Sequence, residues 1–244
     1  MVEVKNMNIT KSKARVVLLH GTLRSSMQMR RLAKHLQKQG FKTINISYPS
    51  RHFDLKRLCD HTQKKIEAQT GMDSQYTIHF VGYSMGGLLV RTLLHHHRPK
   101  QLGRVVLIGT PNHGSEFADF LKNNILFRFI FGPSGQQLIT DQHQFSHLFG
   151  NVDYALGIIA GHSTLDPFAK FLIPGPSDGK VSIQSTKLDG MKDHIVLKGN
   201  HIYLPYIKKN HHQTAHFLAH GCFDKTLNKH LRYSLGLIKS SALI

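Results

Sequence analysis

Short runs rich in Val, Ile, Leu or Phe recur along the chain from Arg15 to Lys198, and most are separated by stretches of helical period. Strands covered by helices on both faces read as such continuous apolar runs, so this alternation predicts an α/β fold. The expected sheet is mostly parallel, of about six strands, with helices on both faces. Strands are expected at Arg15 to His20, Lys42 to Tyr48, Thr77 to Tyr83, Arg104 to Gly109, Tyr154 to Gly161 and His194 to Lys198. Helices are expected at Ser26 to Gln39, Asp54 to Gln69, Met85 to His97 and Tyr206 to Ala219, with Gly40 and Pro99 as stop signals. A length of 244 residues accommodates one such domain, so residues 1–244 are read as a single unit.

One segment breaks the rhythm. Ser115 to Phe149 carries Phe117, Phe120, Phe127, Phe129 and Phe131 among other apolar residues and few charges. Two readings stand open: a helix packed on the sheet, or a lid-like, acyl-binding insertion over about 115–149. In the second reading Phe117 and Phe120 contact substrate. The stretch Ile173 to Ser182, IPGPSDGKVS, is forced into a loop by its Pro and Gly residues.

Several function classes lose ground on composition. No apolar run approaches the ~18–20 residues that span a bilayer. The first twenty residues lack the apolar core and cleavage site of a secretory signal, which predicts a cytoplasmic protein and leaves only non-classical export open. Cys59 and Cys222 stand far apart and read as free buried thiols. His95, His96 and His97 are consecutive on a helix and point in different directions, so they do not converge on a metal ion. The formal charge of +18 admits nucleic acid, an anionic membrane surface or an acidic partner. The basic pairs Arg30-Arg31 and Lys208-Lys209 have no aromatic interleaving, which argues against specific nucleic-acid binding.

Chemistry enters at Gly82-Tyr83-Ser84-Met85-Gly86, a GxSxG pentad lying between an expected strand and an expected helix and followed by Gly87. So tight a turn needs glycine at its flanks, holds the serine hydroxyl above the sheet, and puts the free N–H groups of a helix start beside it. The first strand ends in His20-Gly21-Thr22-Leu23, a loop facing the same crevice. The expected oxyanion donors are the backbone N–H groups of Met85 and Thr22, with Leu23 as the fallback donor and a substrate contact. His20 and Gly21 are expected to support that loop, as Gly82 and Gly86 support the serine turn.

Taken in order, His20-Gly21, Gly82 to Gly86, Thr110-Pro111-Asn112-His113-Gly114-Ser115 and Pro176-Ser177-Asp178-Gly179 resemble the α/β-hydrolase superfamily, in its branch of small bacterial serine esterases and lipases. The resemblance spans about Val16 to Phe223. It implies a nucleophile, an acid and a base in the order Ser, Asp, His, with no metal or organic cofactor. Asp178, in Ser-Asp-Gly, matches the family's loop acid; Asp166 is its main rival, with Asp189 and Asp193 behind. The base belongs in the loop after the last strand, where Gly199-Asn200-His201 stands. His194, His211, His212, His216 and His220 remain alternatives.

These residues predict a serine hydrolase cleaving carboxylic esters of lipid-like or acyl type through an acyl-enzyme. Its expected partners are a small-molecule or lipid ester and, through the basic charge, an anionic membrane surface touched peripherally. An acyltransferase or thioesterase on the same scaffold, or a basic binding protein without turnover, are the alternatives.

Overall fold

In a computed structural model of the chain, residues 14–70, 76–115, 133, 147–163, 173 and 175–226 are described. The strands are β1 Ala14–Leu19, β2 Lys42–Ile46, β3 Thr77–Tyr83, β4 Leu102–Ile108, β5 Leu156–His162 and β6 Asp193–Lys198. The helices are α1 Arg30–Lys38, α2 Leu55–Thr70, α3 Met85–His96, α4 Ile183–Thr186 and α5 Lys208–His220, with 3₁₀ turns at Ser26–Met29 and His201–Tyr206. All six strands are parallel, in the order β2-β1-β3-β4-β5-β6.

Period-two patterning sorts the strand residues onto two cores. Val17 and Leu19 of β1, Phe80 of β3 and Val105 and Leu107 of β4 join α2 and α3 on one face. Val16, Leu18, Val81, Tyr83, Val106 and Ile108 join α1 and α5 on the other. This is why the strands read as unbroken apolar runs: both faces are covered. In α2 the buried residues Leu55, Leu58, Cys59, Thr62 and Ile66 recur at helical spacing and form one stripe. In α3 every residue from Met85 to Leu94 is buried, because the helix lies between the sheet and α2. Helix α5 closes at Gly221 in the left-handed region, φ 75°, and the Arg104 guanidinium donates to the end carbonyls of Leu218 and Ala219.

Except at α1, where Ser26–Met29 forms a 3₁₀ turn and the α-helix starts only at Arg30, observed and expected boundaries agree to within about two residues, with physical causes for the differences. The second strand ends at Ile46, since beyond it the Tyr48 N–H donates to the His20 ring instead of a neighbouring strand. Pattern reading did not anticipate α4 or the turn at His201–Tyr206. Both are set by side-chain caps: the Ser182 hydroxyl accepts from the Ser185 N–H and the Asn200 carboxamide from the Tyr203 N–H. Of the two cysteines only Cys59 is buried; Cys222 is exposed just beyond α5, which corrects the expectation of two buried thiols. Phe117, Phe120 and most of the lid-like segment lie outside the described residues, as does Asp166. No helix among the described residues is long and apolar enough to cross a membrane.

Phe217 of α5 is fully buried against Gly157 of β5 and 4.9 Å, centroid to centroid, from Phe223. Phe217→Ala should cost about 3–5 kcal/mol of stability, read as a lowered midpoint at unchanged slope in urea unfolding.

Candidate active site

Strand β1 continues into β2 on one side, whereas β3 leads to β4, β5 and β6 on the other. The strand order thus reverses between β1 and β3, and in open α/β sheets ligands bind outside the carboxyl ends of the strands at such a point. Ser84 stands there, directly after β3, with φ 54° and ψ −126°, a backbone region that L residues rarely enter. The turn is held by the Ser84 N–H donating to the Ile108 carbonyl at 2.9 Å and the Gly87 N–H donating to the Ser84 carbonyl at 2.9 Å. Close approach dictates its glycines. A Cβ on Gly82 would lie 2.5 Å from the Gly87 Cα, and one on Gly86 would collide with the Leu19 and His20 carbonyls.

Three side chains from three separate elements meet at this turn. The His201 ring places Nε2 3.0 Å from the Ser84 Oγ and Nδ1 2.7 Å from the Asp178 Oδ2. A carboxylate can only accept, so Nδ1 carries the proton and Nε2 offers its lone pair to the serine hydroxyl. Asp178 is almost wholly buried, and its other oxygen accepts from the backbone N–H groups of Lys180 at 3.0 Å and Val181 at 2.9 Å. The His201 backbone is fixed twice: its N–H donates to the Asp178 carbonyl at 2.8 Å, and its carbonyl accepts from the Tyr83 hydroxyl at 2.6 Å. Burial, and then the Asp178 charge, raise the Tyr83 phenol above its ordinary range, so it stays a donor.

The loop after β1 is built around a neutral imidazole. His20 Nε2 accepts from the Tyr48 N–H at 3.2 Å, so Nδ1 bears the proton and donates to the Gly21 carbonyl at 2.8 Å. The Tyr48 ring stacks on it at 4.0 Å, and the Tyr48 hydroxyl donates to the His20 carbonyl. Burial pushes the His20 pKa down to about 4. A Cβ on Gly21 would stand 3.4 Å from the Ser84 Cβ, so the loop abuts the serine. Two of its N–H groups are engaged, Gly21 by the Gln28 side chain at 3.0 Å and Leu23 by the Ser50 hydroxyl at 3.1 Å. The Leu23 N–H is thus committed, whereas among the described residues no hydrogen bond is made by the Thr22 N–H or by the Met85 N–H at the helix start.

The Thr110 to Ser115 stretch ties these parts together. Arg91 of α3 donates from Nη1 to the Asn112 backbone and side-chain oxygens, both at 3.3 Å. Asn112 donates to the Thr186 carbonyl at 2.7 Å, and the Ser115 hydroxyl to the Lys180 carbonyl at 2.6 Å, within the turn that holds Asp178. No sequence signal marked Gln28, Ser50, Tyr48 or Arg91 for these supporting positions, since each acts across a distance that topology alone sets.

The alternative acids and bases stand elsewhere. Asp189 is exposed, and Asp193 accepts from the His194 and Phe223 N–H groups. His194 pairs with Thr186, His212 with Asp224 and His216 with the Cys222 carbonyl, while His220 lies at the end of α5. His211 is buried, with its ring against the Pro205 carbonyl. Cys59, Asp60 and His97 bring potential ligand atoms within 4.8 Å of one another. Asp60, however, is already held by Lys56 and His97, and burial raises the Cys59 thiol to about 12.

A family profile described as alpha/beta hydrolase fold matches residues 14–145. Among known structures, the mature lipase BlEst2 of Bacillus licheniformis is similar at TM-score 0.69 and 21% identity, over 86% of this chain and 93% of that one. The metagenomic carboxyl esterase MGS0156 is similar at TM-score 0.62 and 16% identity, over 80% and 66%. The monoacylglycerol lipase of Paleococcus ferrophilus is similar at TM-score 0.57 and 16% identity, over 87% and 96%. A search of curated proteins by sequence returns no match.

Burial also lowers His79 of β3 to about 4, with its Nδ1 accepting from the Arg104 N–H at 2.8 Å. Between pH 6.5 and 4 the unfolded chain takes up protons that folded His20 and His79 refuse. Stability is therefore complete above that window and falls as the pH drops through it, by up to about 3 kcal/mol per histidine. Urea midpoints measured at pH 7 and pH 4.5 should show the loss, and His79→Asn, which keeps an acceptor, should flatten part of it.

Proposed function

The chain belongs to the alpha/beta hydrolase fold family, and from that premise we propose that it is a serine hydrolase of carboxylic esters. The observation that carries this reading is the continuous contact from Asp178 through His201 to Ser84, at 2.7 and 3.0 Å.

In the proposed reaction His201 Nε2 removes the Ser84 Oγ proton as that oxygen bonds to the ester carbonyl carbon. The carbonyl oxygen becomes an oxyanion facing the Thr22 and Met85 N–H groups, which bind it more tightly than the ground-state carbonyl. Collapse breaks the bond to the alcohol, which departs with the proton from His201 and leaves an acyl group on Ser84. A water gives its proton to Nε2, attacks the acyl carbon and frees the acid as the proton returns to Ser84. Throughout, Asp178 stays ionised and holds the ring's orientation; the Lys180 and Val181 N–H groups share its negative charge.

An apolar acyl group fits the surroundings. Ile202 and Tyr203, immediately after His201, are exposed, as is Met27 in the 3₁₀ turn that packs against theirs. Exposed apolar side chains beside the Ser84–His201 pair favour substrates with a hydrocarbon part. The three similar structures, a lipase, a carboxyl esterase and a monoacylglycerol lipase, are consistent with that class. The insertion at 115–149, with Phe117 and Phe120, is the proposed cover for the acyl chain, and the +18 charge favours anionic lipid surfaces.

Assayed on p-nitrophenyl esters of increasing chain length, Ser84→Ala should lose at least about 10³-fold in kcat, and Asp178→Asn on the order of 10⁴-fold. Wild-type rates in Ser84→Ala would sink the proposal. Because the Ser84 backbone conformation is one that glycine adopts freely, Ser84→Gly should be equally inactive yet gain about 1 kcal/mol of stability in urea unfolding.

A further inference from the structure

Helix α3 begins at the serine and ends at the opposite edge of the sheet, where its last turns and residues 150–154 flank an open cavity of about 380 Å³. Arg91, His95 and Arg98 line one side, and Asn151, Asp153 and Tyr154 the other. At 1.5 Å per residue this cavity lies ~10–20 Å along the helix from Ser84, away from the ester-binding crevice.

Arg91 is the unusual member. Nine-tenths of it is buried, and burial lowers its pKa only to about 10, so it is cationic at neutral pH. Its Nη1 meets Asn112, its face lies 4.3 Å from the Phe149 ring centroid, and its Nε is buried without an acceptor. Those neighbours are neutral. Among the described residues no carboxylate pairs with it, for Asp153, the cavity's own acid, is bound to the Arg98 guanidinium at 2.7 and 2.8 Å. A buried charge without a counter-charge is costly, and a cation at the wall of an open cavity is relieved by an anion entering it.

We propose that this cavity binds the phosphate group of a small phosphate ester, with Arg91 as the central cation and Arg98 and His95 at its rim. Guanidinium geometry suits phosphate oxygens, and the volume is of the size that receives a small organic molecule rather than a bare ion. Tyr154 offers an adjoining aromatic wall. The phosphate comes either from a soluble ester or from a lipid headgroup, and the chemistry of recognition is the same.

The test uses the full chain and its thermal unfolding midpoint. Glycerol 3-phosphate at about ten times its Kd should raise the midpoint by roughly 3 °C, while potassium chloride at equal ionic strength should not. Removing Arg91 risks the fold, so the informative variant is Asn151→Asp, which puts a carboxylate into the cavity. It should raise the midpoint without ligand and lose most of the response to glycerol 3-phosphate. An equal response to chloride, no response, or an undiminished response in Asn151→Asp would overturn the proposal. Displacement of glycerol 3-phosphate by phosphatidylglycerol vesicles, but not by phosphatidylcholine vesicles, would assign the phosphate to a lipid headgroup. Binding that withstands the vesicles would assign it to a soluble ester; either result supports the site.

Discussion

The structure turns on the close approach of a helix start to the end of a neighbouring strand. Gly86 rests against the Leu19 and His20 carbonyls, and Gly82 against Gly87, leaving no room for a side chain at either position. Only in that proximity can the Ser84 backbone be held in its disfavoured conformation, with its amide bonded to β4 and its hydroxyl standing clear of the sheet. The same approach sets the Met85 N–H next to the loop that carries Thr22. The strain at Ser84, the standing of its hydroxyl and the nearness of the Met85 and Thr22 amides are thus consequences of a single packing contact.

Around that contact the supporting groups are mostly neutral. His20, Tyr48 and Tyr83 are buried and kept uncharged, and their hydrogen bonds run to backbone atoms. A neutral scaffold holds geometry without adding fields that compete with the one carboxylate, Asp178, on the ring it faces. The Asp178 turn is in turn clasped by Ser115 and, through Thr186, by Asn112 and Arg91. Helix α3 therefore carries Ser84 at one end and, seven residues on, the cation that anchors the loop braced against Asp178.

Much of this was legible in the sequence, and the boundary of legibility has a physical form. The six strands follow from apolar runs covered on both faces, and the turn at Ser84 from glycines whose spacing only a tight strand-to-helix connection requires. His201 could be brought forward because it stands in the loop after the last strand, where topology limits the candidates, and Asp178 because its Ser-Asp-Gly loop resembles the family's acid loop. What escaped reading were contacts made across the sequence by ordinary residues. Gln28 holding the Gly21 N–H, Ser50 holding that of Leu23, and Arg91 bracing Asn112 have no local pattern. The turn at His201–Tyr206 escaped because Asn200, a capping residue, and not periodicity sets it.

The sheet's strand order has a further consequence. Ser84 follows β3, paired on both sides, whereas His201 follows β6, which pairs only with β5 among the described strands and exposes Val196 and Lys198. Edge strands open locally at lower free energy than the centre of a sheet. Fluctuations at this edge would detach the imidazole while the strained serine turn stays intact. Amide exchange should accordingly be faster in β6 than in β3. The contact between the His201 ring and the Ser84 hydroxyl is then only as durable as the outermost strand of the sheet.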